Sequence, residues 1–334
     1  MNWFDTHLDL ACIALCGRDM RAIDPAASGG ADGPGGITFP SLKAGNVRAC
    51  LGTIFIEPDG APPVIAYETG NAQSAHRAAR SQLDLYHYWN RQGLIRLMNQ
   101  RESDLKEAPV LGILVEGADG IMSPDDLSWW AERGVVAIGL AWARQTRYAG
   151  GNMTTTGLTD LGRQLIKEMD RQNVVHDVSH LSDAALHGLF ESTDKPVIAS
   201  HSNCRALIDL PGDEPRQRHL TDATIREIAR RGGIIGVNLF SMFIIPGGKK
   251  DRRATIDEWC SHVVHICSVV GNHHHVGLGS DADGGFSCLR QPDGINCPAD
   301  YHLLLEGLSR RGWTQTQLAD FAWNNWARFW KVAP

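Results

Sequence analysis

The sequence contains no long apolar run, no excess of basic residues and no CxxC cysteine pair, and each absence argues against a class of protein. No uninterrupted apolar run approaches the ~20 residues that a membrane-spanning helix needs, so we expect no membrane segment. The formal net charge is −6 and no long basic run is present, which disfavours nucleic acid as a partner. The opening residues lack a basic stretch followed by an apolar one, and we therefore expect no signal peptide.

The eight cysteines are scattered along the chain and do not reach the density of a small secreted scaffold. This usage predicts reduced thiols in the protein interior and a cytoplasmic location. The alternative for one pair is a disulfide between Cys288 and Cys297, which follow the last predicted strand.

Composition and length favour one large α/β domain. Hydrophobic residues make up 43% of the 334 residues and charged residues 21%, so a large core can be buried. Barrels of alternating strands and helices routinely reach this length as one domain. We therefore predict one domain over residues 1–334, with loop insertions near 17–46 and 241–253 and C-terminal helices over 299–330.

Eight apolar runs bounded by glycine, proline and polar clusters predict strands, and helical patterns separate most of them. Strands that alternate with helices form parallel sheets, and eight such units favour a closed (β/α)8 TIM barrel over an open sheet. The predicted strands are 3–9, 47–56, 109–116, 134–141, 173–179, 195–200, 233–239 and 275–280. The predicted helices are 70–99, 124–133, 157–171, 182–192, 221–231, 254–271, 299–311 and 314–330.

Several predicted strands end in a residue that can bind a metal or move a proton. His7 and Asp9 are two residues apart on a strand, so both side chains point to the same face. Glu116 ends the apolar segment VLGILVEG, where an unpaired buried carboxylate would be costly. A metal ion would remove that cost, and so would a salt bridge to an arginine on a neighbouring strand.

The later strands add two histidines and an aspartate. His180 and His201 end consecutive predicted strands, and adjacent strand ends lie roughly 5 Å apart, close enough for two imidazoles to share a metal. Asp281 lies in GLGSDADGG, where its carboxylate is expected to face the mouth of the barrel. We expect Asp283, two residues further, to brace the loop.

Six motifs occur in a fixed order: THLD, VEG, DVSHLSD, ASHSN, RHLTDATIREIARRGGIIGVN and GLGSDADG. Together they resemble the membrane (renal or microsomal) dipeptidase family, peptidase family M19, and its bacterial members, over nearly the whole chain. The resemblance implies a (β/α)8 barrel with two zinc ions. Carried over residue by residue, His7 and Asp9 hold one zinc, His180 and His201 hold the other, and Glu116 bridges both.

The resemblance also implies roles for Asp281 and Arg218. Asp281 matches the acid/base of the family, and Arg218, in RHLTD, matches the arginine that binds the terminal carboxylate of the substrate. The alternative for Arg218 is a surface ion pair with Asp213 or Glu214.

The fourth predicted strand departs from the family pattern. Trp142, in IGLAWARQTRYAGGN, stands where the family has a histidine that contacts the substrate near the scissile carbonyl. An indole donates one hydrogen bond but can neither accept a proton nor become a cation. The position can still shape a substrate pocket, and Arg144 and Arg147 are candidates for the missing positive group.

The sequence therefore predicts a dinuclear zinc hydrolase that cleaves dipeptides by attack of a metal-bridging hydroxide on the amide carbonyl. One alternative is the same centre acting on another small amide, an N-acyl amino acid or a lactone, and Trp142 favours it. A second alternative is a catalytically inactive binding protein. The indoles of Trp323, Trp326 and Trp330 fall on one helical face, which predicts packing against the barrel wall or contact with a second subunit of a homodimer.

Overall fold

The structure is a computed structural model, and it describes residues 1–60, 62–99, 108–210, 212, 216–249 and 251–332. Each of the eight predicted strands is present, and each begins within two residues of its predicted start. The strands are β1 (Trp3–Leu8), β2 (Val47–Phe55), β3 (Val110–Glu116), β4 (Val135–Gly139), β5 (Val175–Asp177), β6 (Val197–Ile198), β7 (Ile235–Val237) and β8 (Val276–Leu278).

The strands lie side by side in the order β7-β8-β1-β2-β3-β4-β5-β6, so neighbours in sequence are neighbours in the sheet. The pairs β7–β8, β8–β1, β3–β4, β4–β5 and β5–β6 are parallel, and in the first of them Ile235 to Val237 pair with Val276 to Leu278. A bridge between Ala199, just after β6, and Ile235 on β7 links the two ends of this order. The predicted (β/α)8 barrel is therefore confirmed.

Helices follow most strands, as the alternating pattern predicts. Ordinary capping chemistry starts several of them: the Thr255 hydroxyl accepts from the backbone N–H of Glu258, whose side chain in turn accepts from the Thr255 backbone. The helices are α1 (Leu10–Leu15), α2 (Phe39–Ala44), α3 (Ala72–Arg91), α4 (Leu127–Glu132), α5 (Asp160–Gln172), α6 (Asp183–Ser192), α7 (Arg205–Ile208), α8 (Asp222–Arg230), α9 (Ile256–Val270), α10 (His302–Ser309), α11 (Gln315–Ala319) and α12 (Asn325–Trp330).

Two predictions of local structure were wrong. The predicted helix over 70–99 ends at Arg91, and Arg96–Leu97 instead form a two-residue strand that pairs with β3. The predicted loop over 17–46 contains the helix α2, which begins after Thr38 with a reciprocal capping pair to Ser41. A capping box usually has glutamate or glutamine at the third helical position. Serine there is a weaker signal, so the sequence does not predict where this helix begins.

By internal packing the chain forms two compact units, the first comprising residues 1–8, 17–50 and 199–334 and the second residues 9–16 and 51–198. The first unit contains β1, β7 and β8, and the second contains β3, β4, β5 and β6. The strand β2 begins in the first unit and ends in the second. The prediction of one domain over residues 1–334 stays a prediction.

The C-terminal helix packs on the last barrel strand. The indole N–H of Trp326 donates to the Leu278 carbonyl at 3.2 Å, and Trp326 is fully buried. A Cβ on Gly277 would lie 2.3 Å from Nε1 of Trp326, so only glycine admits the indole at this point of β8. Trp323 is also buried, and this confirms the predicted packing of the tryptophan face against the barrel. A homodimer stays a prediction.

All eight cysteines are free thiols, and six of them are buried. The alternative of a disulfide between Cys288 and Cys297 is therefore wrong. Burial raises the pKa of the Cys267 thiol to about 12, which keeps that side chain protonated and unreactive at neutral pH.

Across the described ranges, no helix combines the length and the apolar character that crossing a bilayer requires.

Candidate metal centre

In the first unit, one serine hydroxyl contacts two of the predicted metal ligands. Ser200 Oγ lies 3.2 Å from Nδ1 of His7 and 2.8 Å from Nδ1 of His201. The two imidazoles are stacked, with ring centroids 3.5 Å apart, and both are buried. Because the Nδ1 atoms face the serine, Nε2 is the atom with which each ring can bind a metal.

Asp281 lies beside this histidine pair. Its Oδ1 is 3.9 Å from Nε2 of His7, and its Oδ2 accepts a hydrogen bond from Nδ2 of Asn238 at 2.9 Å. The backbone N–H of Asp281 donates to the His7 carbonyl at 3.1 Å, which ties the loop after β8 to the end of β1. The predicted carboxylate thus stands next to a predicted metal ligand.

Asp283 has the bracing role that the sequence predicts. Its Oδ2 accepts from the backbone N–H groups of Gly36 and Ile37, both at 2.8 Å, and from the Arg18 guanidinium at 2.5 Å. One buried carboxylate therefore fixes the long segment after β1 onto the loop that carries Asp281.

Arg218 is a buried residue of the first unit and not a surface arginine. Its Nη2 donates to the His201 carbonyl at 2.8 Å, its Nη1 donates to Ser202 Oγ at 3.2 Å, and its guanidinium lies over the Phe243 ring at 4.9 Å. The predicted alternative partners, Asp213 and Glu214, lie outside the described residues. We call His7, Ser200, His201, Arg218 and Asp281 the first set.

In the second unit, the carboxylates of Asp9 and Glu116 are buried at the strand ends. Asp9 follows β1, and its Oδ1 accepts a short hydrogen bond from the hydroxyl of Thr53 on β2. Glu116 ends β3, and its Oε1 lies 3.1 Å from Nε2 of His180. Glu116 thus contacts an imidazole, and an imidazole and a carboxylate can share a metal ion.

His180 is held from its other side. Its Nδ1 lies 2.9 Å from Oδ1 of Asn152, so Nε2 faces the carboxylate of Glu116. We call Asp9, Glu116, Trp142 and His180 the second set.

Two of the predicted site residues adopt left-handed backbone conformations that side chains rarely accept. His180 has φ of 69° and Asp281 has φ of 57°. Strained backbone of this kind persists where the surrounding structure holds it, and it concentrates at functional sites.

The sequence reasoning missed Asp177. This residue ends β5, is 2% exposed, and accepts from the backbone N–H of Ser179 at 3.0 Å. The available signal was a carboxylate inside a buried strand, three residues before His180.

Among the described residues, seven buried side chains belong to groups that could hold a metal ion. Imidazole nitrogen together with carboxylate oxygen is a donor set that suits zinc and other first-row divalent ions. The seven are the five predicted ligands, Asp281 and the unpredicted Asp177, namely His7, Asp9, Glu116, Asp177, His180, His201 and Asp281.

Trp142 is the member of the second set that cannot bind a metal. Its half-buried indole packs edge-on against Phe55, with centroids 5.1 Å apart, and lies 6.0 Å from the His180 ring. It also lines a small cleft. The other residues that line the cleft are Ile56, Pro58, Tyr67, Gly117, Arg144, Gln145 and Thr146.

The two arginines predicted as substitutes for the missing positive group differ. Arg147 donates to the carbonyls of Asp119, Ile121 and Met122, which ties its guanidinium to the loop after β3. Arg144 lines the cleft. Of the two, Arg144 is the exposed one.

Comparison with known proteins gives the same family as the six ordered motifs. A family model described as membrane dipeptidase, peptidase family M19, matches residues 1–333. An uncharacterized dipeptidase of Schizosaccharomyces pombe is 33% identical over 182 residues, which are 54% of this chain and 42% of that protein. An uncharacterized protein in the pqqA 5′ region of Klebsiella pneumoniae is 31% identical over 237 residues, 68% of this chain and 83% of that protein. The segment that matches this chain thus covers less than half the length of the S. pombe dipeptidase.

A solved structure shares the fold over the whole length. The crystal structure of a metallopeptidase from Rhodobacter sphaeroides, liganded with a phosphinate mimic of the dipeptide L-Ala-D-Ala, matches with a TM-score of 0.82. The two chains are 23% identical, and the match covers 99% of each.

Proposed function

We propose that this chain, which belongs to the membrane dipeptidase family (peptidase family M19), is a metal-dependent hydrolase that cleaves the amide bond of dipeptides. The observation that carries the proposal is the chemistry at the strand ends. The first unit presents two buried imidazoles and the second presents one, each unit also has buried carboxylates, and a serine or an asparagine contacts Nδ1 of each imidazole, which is how proteins prepare histidine for a metal.

We assign His7 and Asp9 to one zinc ion, His180 and His201 to a second, and Glu116 to both. Five ligands of this kind can be buried because the metal charge offsets the cost of burying the two carboxylates. Bound zinc supplies Lewis acidity and a source of hydroxide at neutral pH.

Asp281 is the residue that we assign to proton transfer. In hydrolysis a water molecule adds to the amide carbonyl, one of its protons goes to the departing amine, and the C–N bond breaks. A carboxylate held by the Asn238 amide, as Asp281 is, can take that proton and return it to the amine nitrogen.

Arg218 is assigned to the terminal carboxylate of the substrate. A planar guanidinium binds a carboxylate in a bidentate manner, and burial strengthens that pairing. An arginine that fixes a free C-terminus near the reacting bond restricts the substrate to very short peptides.

The test combines metal content with substrate range. Protein purified without chelator is expected to contain two zinc ions per chain by mass spectrometry and to hydrolyse L,L- or L,D-dipeptides. His180→Ala is expected to lose zinc and activity, whereas the matched control His187→Ala, whose side chain is 76% exposed on α6, retains both. Near-zero zinc in the native protein would instead support an inactive binding protein.

A second candidate function is hydrolysis of another small amide, an N-acyl amino acid or a lactone by the same centre. The observation that favours it is Trp142, which lies 6.0 Å from His180 where the family has a histidine. N-acetylated amino acids and lactones in the same assay separate the two, because neither contains the amide bond between two amino acids that a dipeptidase cleaves.

A further inference from the structure

A short segment after β6, residues 200–203, contacts several functional groups of the first set. Ser200 Oγ contacts Nδ1 of His201. The His201 carbonyl and Ser202 Oγ accept hydrogen bonds from the Arg218 guanidinium. Asn203, the last residue of the segment, is 1% exposed, and it reaches the functional groups through its neighbours.

The side-chain amide of Asn203 binds two separate parts of the first unit. Its Oδ1 accepts from the backbone N–H of Asn238 at 2.9 Å, just after β7. Its Nδ2 donates to the Phe243 carbonyl at 2.7 Å and lies 3.4 Å from the Asn238 carbonyl. Because a buried amide needs a partner for its donor and for its acceptor, both contacts are strongly favoured. Asn203 therefore fixes the end of β7 and the following segment relative to each other.

The contact with Asn238 leads to Asp281. Asn238 is fully buried, and its Nδ2 donates to Oδ2 of Asp281 at 2.9 Å. Its Oδ1 accepts from the backbone N–H of Phe240 at 2.5 Å. The side chain of Asn238 can hold the carboxylate only where its own backbone is in place, and Asn203 accepts from that backbone. Asn203 thus acts on Asp281 through one intervening residue.

The contact with Phe243 leads to Arg218. The Arg218 guanidinium lies over the Phe243 ring at 4.9 Å, and the His219 ring packs edge-on against the same ring, with centroids 5.2 Å apart. A guanidinium is attracted to the face of an aromatic ring. Because the carbonyl that Asn203 holds belongs to the residue that carries this ring, a shift of the carbonyl moves the surface on which the guanidinium lies. Asn203 thus also acts on Arg218 through one intervening residue.

We propose that Asn203 is a positioning residue that sets the spacing between Asp281 and Arg218. The inference rests on the proposed function, in which Asp281 returns a proton to the departing amine and Arg218 binds the terminal carboxylate. In a dipeptide one α-carbon separates that nitrogen from that carboxylate, so the substrate fixes the distance between the two protein groups. One side-chain amide that holds the neighbours of both keeps this distance constant, and a misplacement of about 1 Å can cost about 10²-fold in rate.

The test compares kcat and KM for Ala-Ala and for its C-terminal amide. Asn203→Ala removes both contacts, and kcat/KM for Ala-Ala is expected to fall about 10–100-fold, with a lower kcat and a higher KM. The C-terminal amide lacks the carboxylate that Arg218 binds, so its loss is expected to be smaller by at least about threefold. Asn203→Ser, which keeps one polar group at this position, is expected to show the same pattern with a smaller loss, and it gives the same comparison if Asn203→Ala does not fold.

A double variant tests whether Asn203 acts through Arg218. In an Arg218→Lys background, Asn203→Ala is expected to raise KM for Ala-Ala by less than about twofold, because the contact that it aligns is already lost. An equal loss for both substrates in Asn203→Ala, or the full additional loss in the Arg218→Lys background, would overturn the inference and leave Asn203 a role in stability alone.

The matched control is Asn325→Ala. Asn325 is another fully buried asparagine that binds two backbone groups, since its Nδ2 donates to the carbonyls of His273 and Val276 at 2.7 and 2.9 Å. These contacts lie where β8 begins, whereas Asp281 follows the end of that strand. Asn325→Ala is expected to lower the melting temperature and to leave the ratio of kcat/KM for the two substrates unchanged.

A binding measurement separates this inference from the proposed function. Calorimetry of the zinc-loaded protein with a phosphinate mimic of Ala-Ala requires no turnover. Asn203→Ala is expected to weaken binding about tenfold in the wild-type background and less than about twofold in the Arg218→Lys background.

The outcomes of the two measurements are distinct. If this coupling is found in a protein that hydrolyses no dipeptide, the positioning role stands and the proposed activity fails. If Ala-Ala is hydrolysed but the losses from the two substitutions multiply, the positioning role alone fails. A wild-type protein that neither hydrolyses dipeptides nor binds the mimic would overturn both.

Discussion

The first and second sets contain similar metal donors, but they differ in what surrounds those donors. In the first set, polar groups hold the functional side chains: a serine contacts two imidazoles, an asparagine holds Asp281, and a backbone carbonyl holds Arg218. In the second set, Thr53 and Asn152 contact Asp9 and His180, and the indole of Trp142 lies 6.0 Å from the His180 ring. The difference lies in the neighbours of the histidines: two imidazoles share one hydroxyl in the first set, whereas an amide and an indole flank the single imidazole of the second.

The largest effect is expected from removing Asp281, the residue of the first set that we assign to proton transfer. Asp281→Asn keeps the shape and the neighbouring Asn238 but cannot take up a proton, so kcat/KM is expected to fall by roughly 10²–10⁴-fold at unchanged zinc content. Steady-state kinetics and metal analysis check this. The control Asp293→Asn, whose side chain is 81% exposed, is expected to behave as wild type. Full activity in Asp281→Asn would assign proton transfer elsewhere.

A smaller effect is expected from the carboxylate contact of the first set. Arg218→Lys replaces a bidentate guanidinium with a point charge, and we expect KM for dipeptides to rise about 10–100-fold with a smaller change in kcat. The wild type is also expected to discriminate strongly against the C-terminal amide of the same dipeptide, and the variant is expected to lose most of that discrimination. Arg311→Lys, in an exposed ion pair with Asp257, is the matched control. Equal discrimination in both variants would remove Arg218 from substrate binding.

The shared serine of the first set tests whether orientation matters there. Ser200→Ala removes the hydroxyl that contacts His7 and His201, and zinc affinity is expected to fall about 10–100-fold, as when outer-shell partners of ligating histidines are lost. Competition with a zinc chelator measures it. Ser261→Ala, which removes a hydroxyl bonded only to the Asp257 carbonyl on the exposed side of α9, is expected to leave the affinity unchanged.

The smallest effect concerns stability behind the first set. His262 is buried on α9, its Nδ1 accepts from the backbone N–H of Cys204, and burial lowers its pKa to about 4. As pH falls from the usual value of 6.5 towards 4, the unfolded chain takes up a proton that the folded protein refuses, so stability is lost in that window.

We therefore expect the free energy of unfolding of the wild type to fall by about 3 kcal/mol more than that of His262→Gln between pH 7 and pH 4. Urea denaturation at several pH values measures the difference. His187→Gln, at an exposed position, is expected to follow the wild type. Parallel curves for wild type and His262→Gln would show that this imidazole does not titrate on unfolding.

The barrel was predictable because its strands are apolar runs bounded by polar residues, and the ends of those runs fell at His7, Glu116, His180 and His201. The motif order then located Asp281 and Arg218. Long-range partners were not predictable in this way, since Ser200, Asn152 and Asn238 give no local signal of the side chain that each one contacts. The helix α2 was hidden in a glycine- and proline-rich stretch for a related reason, because its start depends on one side-chain cap.

The cleft beside Trp142 was the least predictable feature of the second unit. Its lining residues come from separate parts of the chain: Ile56, Pro58, Tyr67 and Gly117, and residues 142 and 144–146. The sequence marked Trp142 only as a departure from the family pattern. That Trp142 lines a cleft depends on how these segments fold around it. The hydrophobic periodicity of the sequence carries no information about such contacts.

The contact of Ser200 with two imidazoles also fixes the placement of protons. A hydroxyl carries one hydrogen, so Ser200 can donate to Nδ1 of His7 or to Nδ1 of His201 but not to both. At least one of the two rings must therefore carry its own hydrogen on Nδ1 and point it at the serine oxygen. In the neutral form, that ring has a bare lone pair on Nε2, which is the tautomer that a metal requires. Ser200, which is not itself a proposed ligand, thus determines which nitrogen of a neighbouring histidine is available to bind a metal.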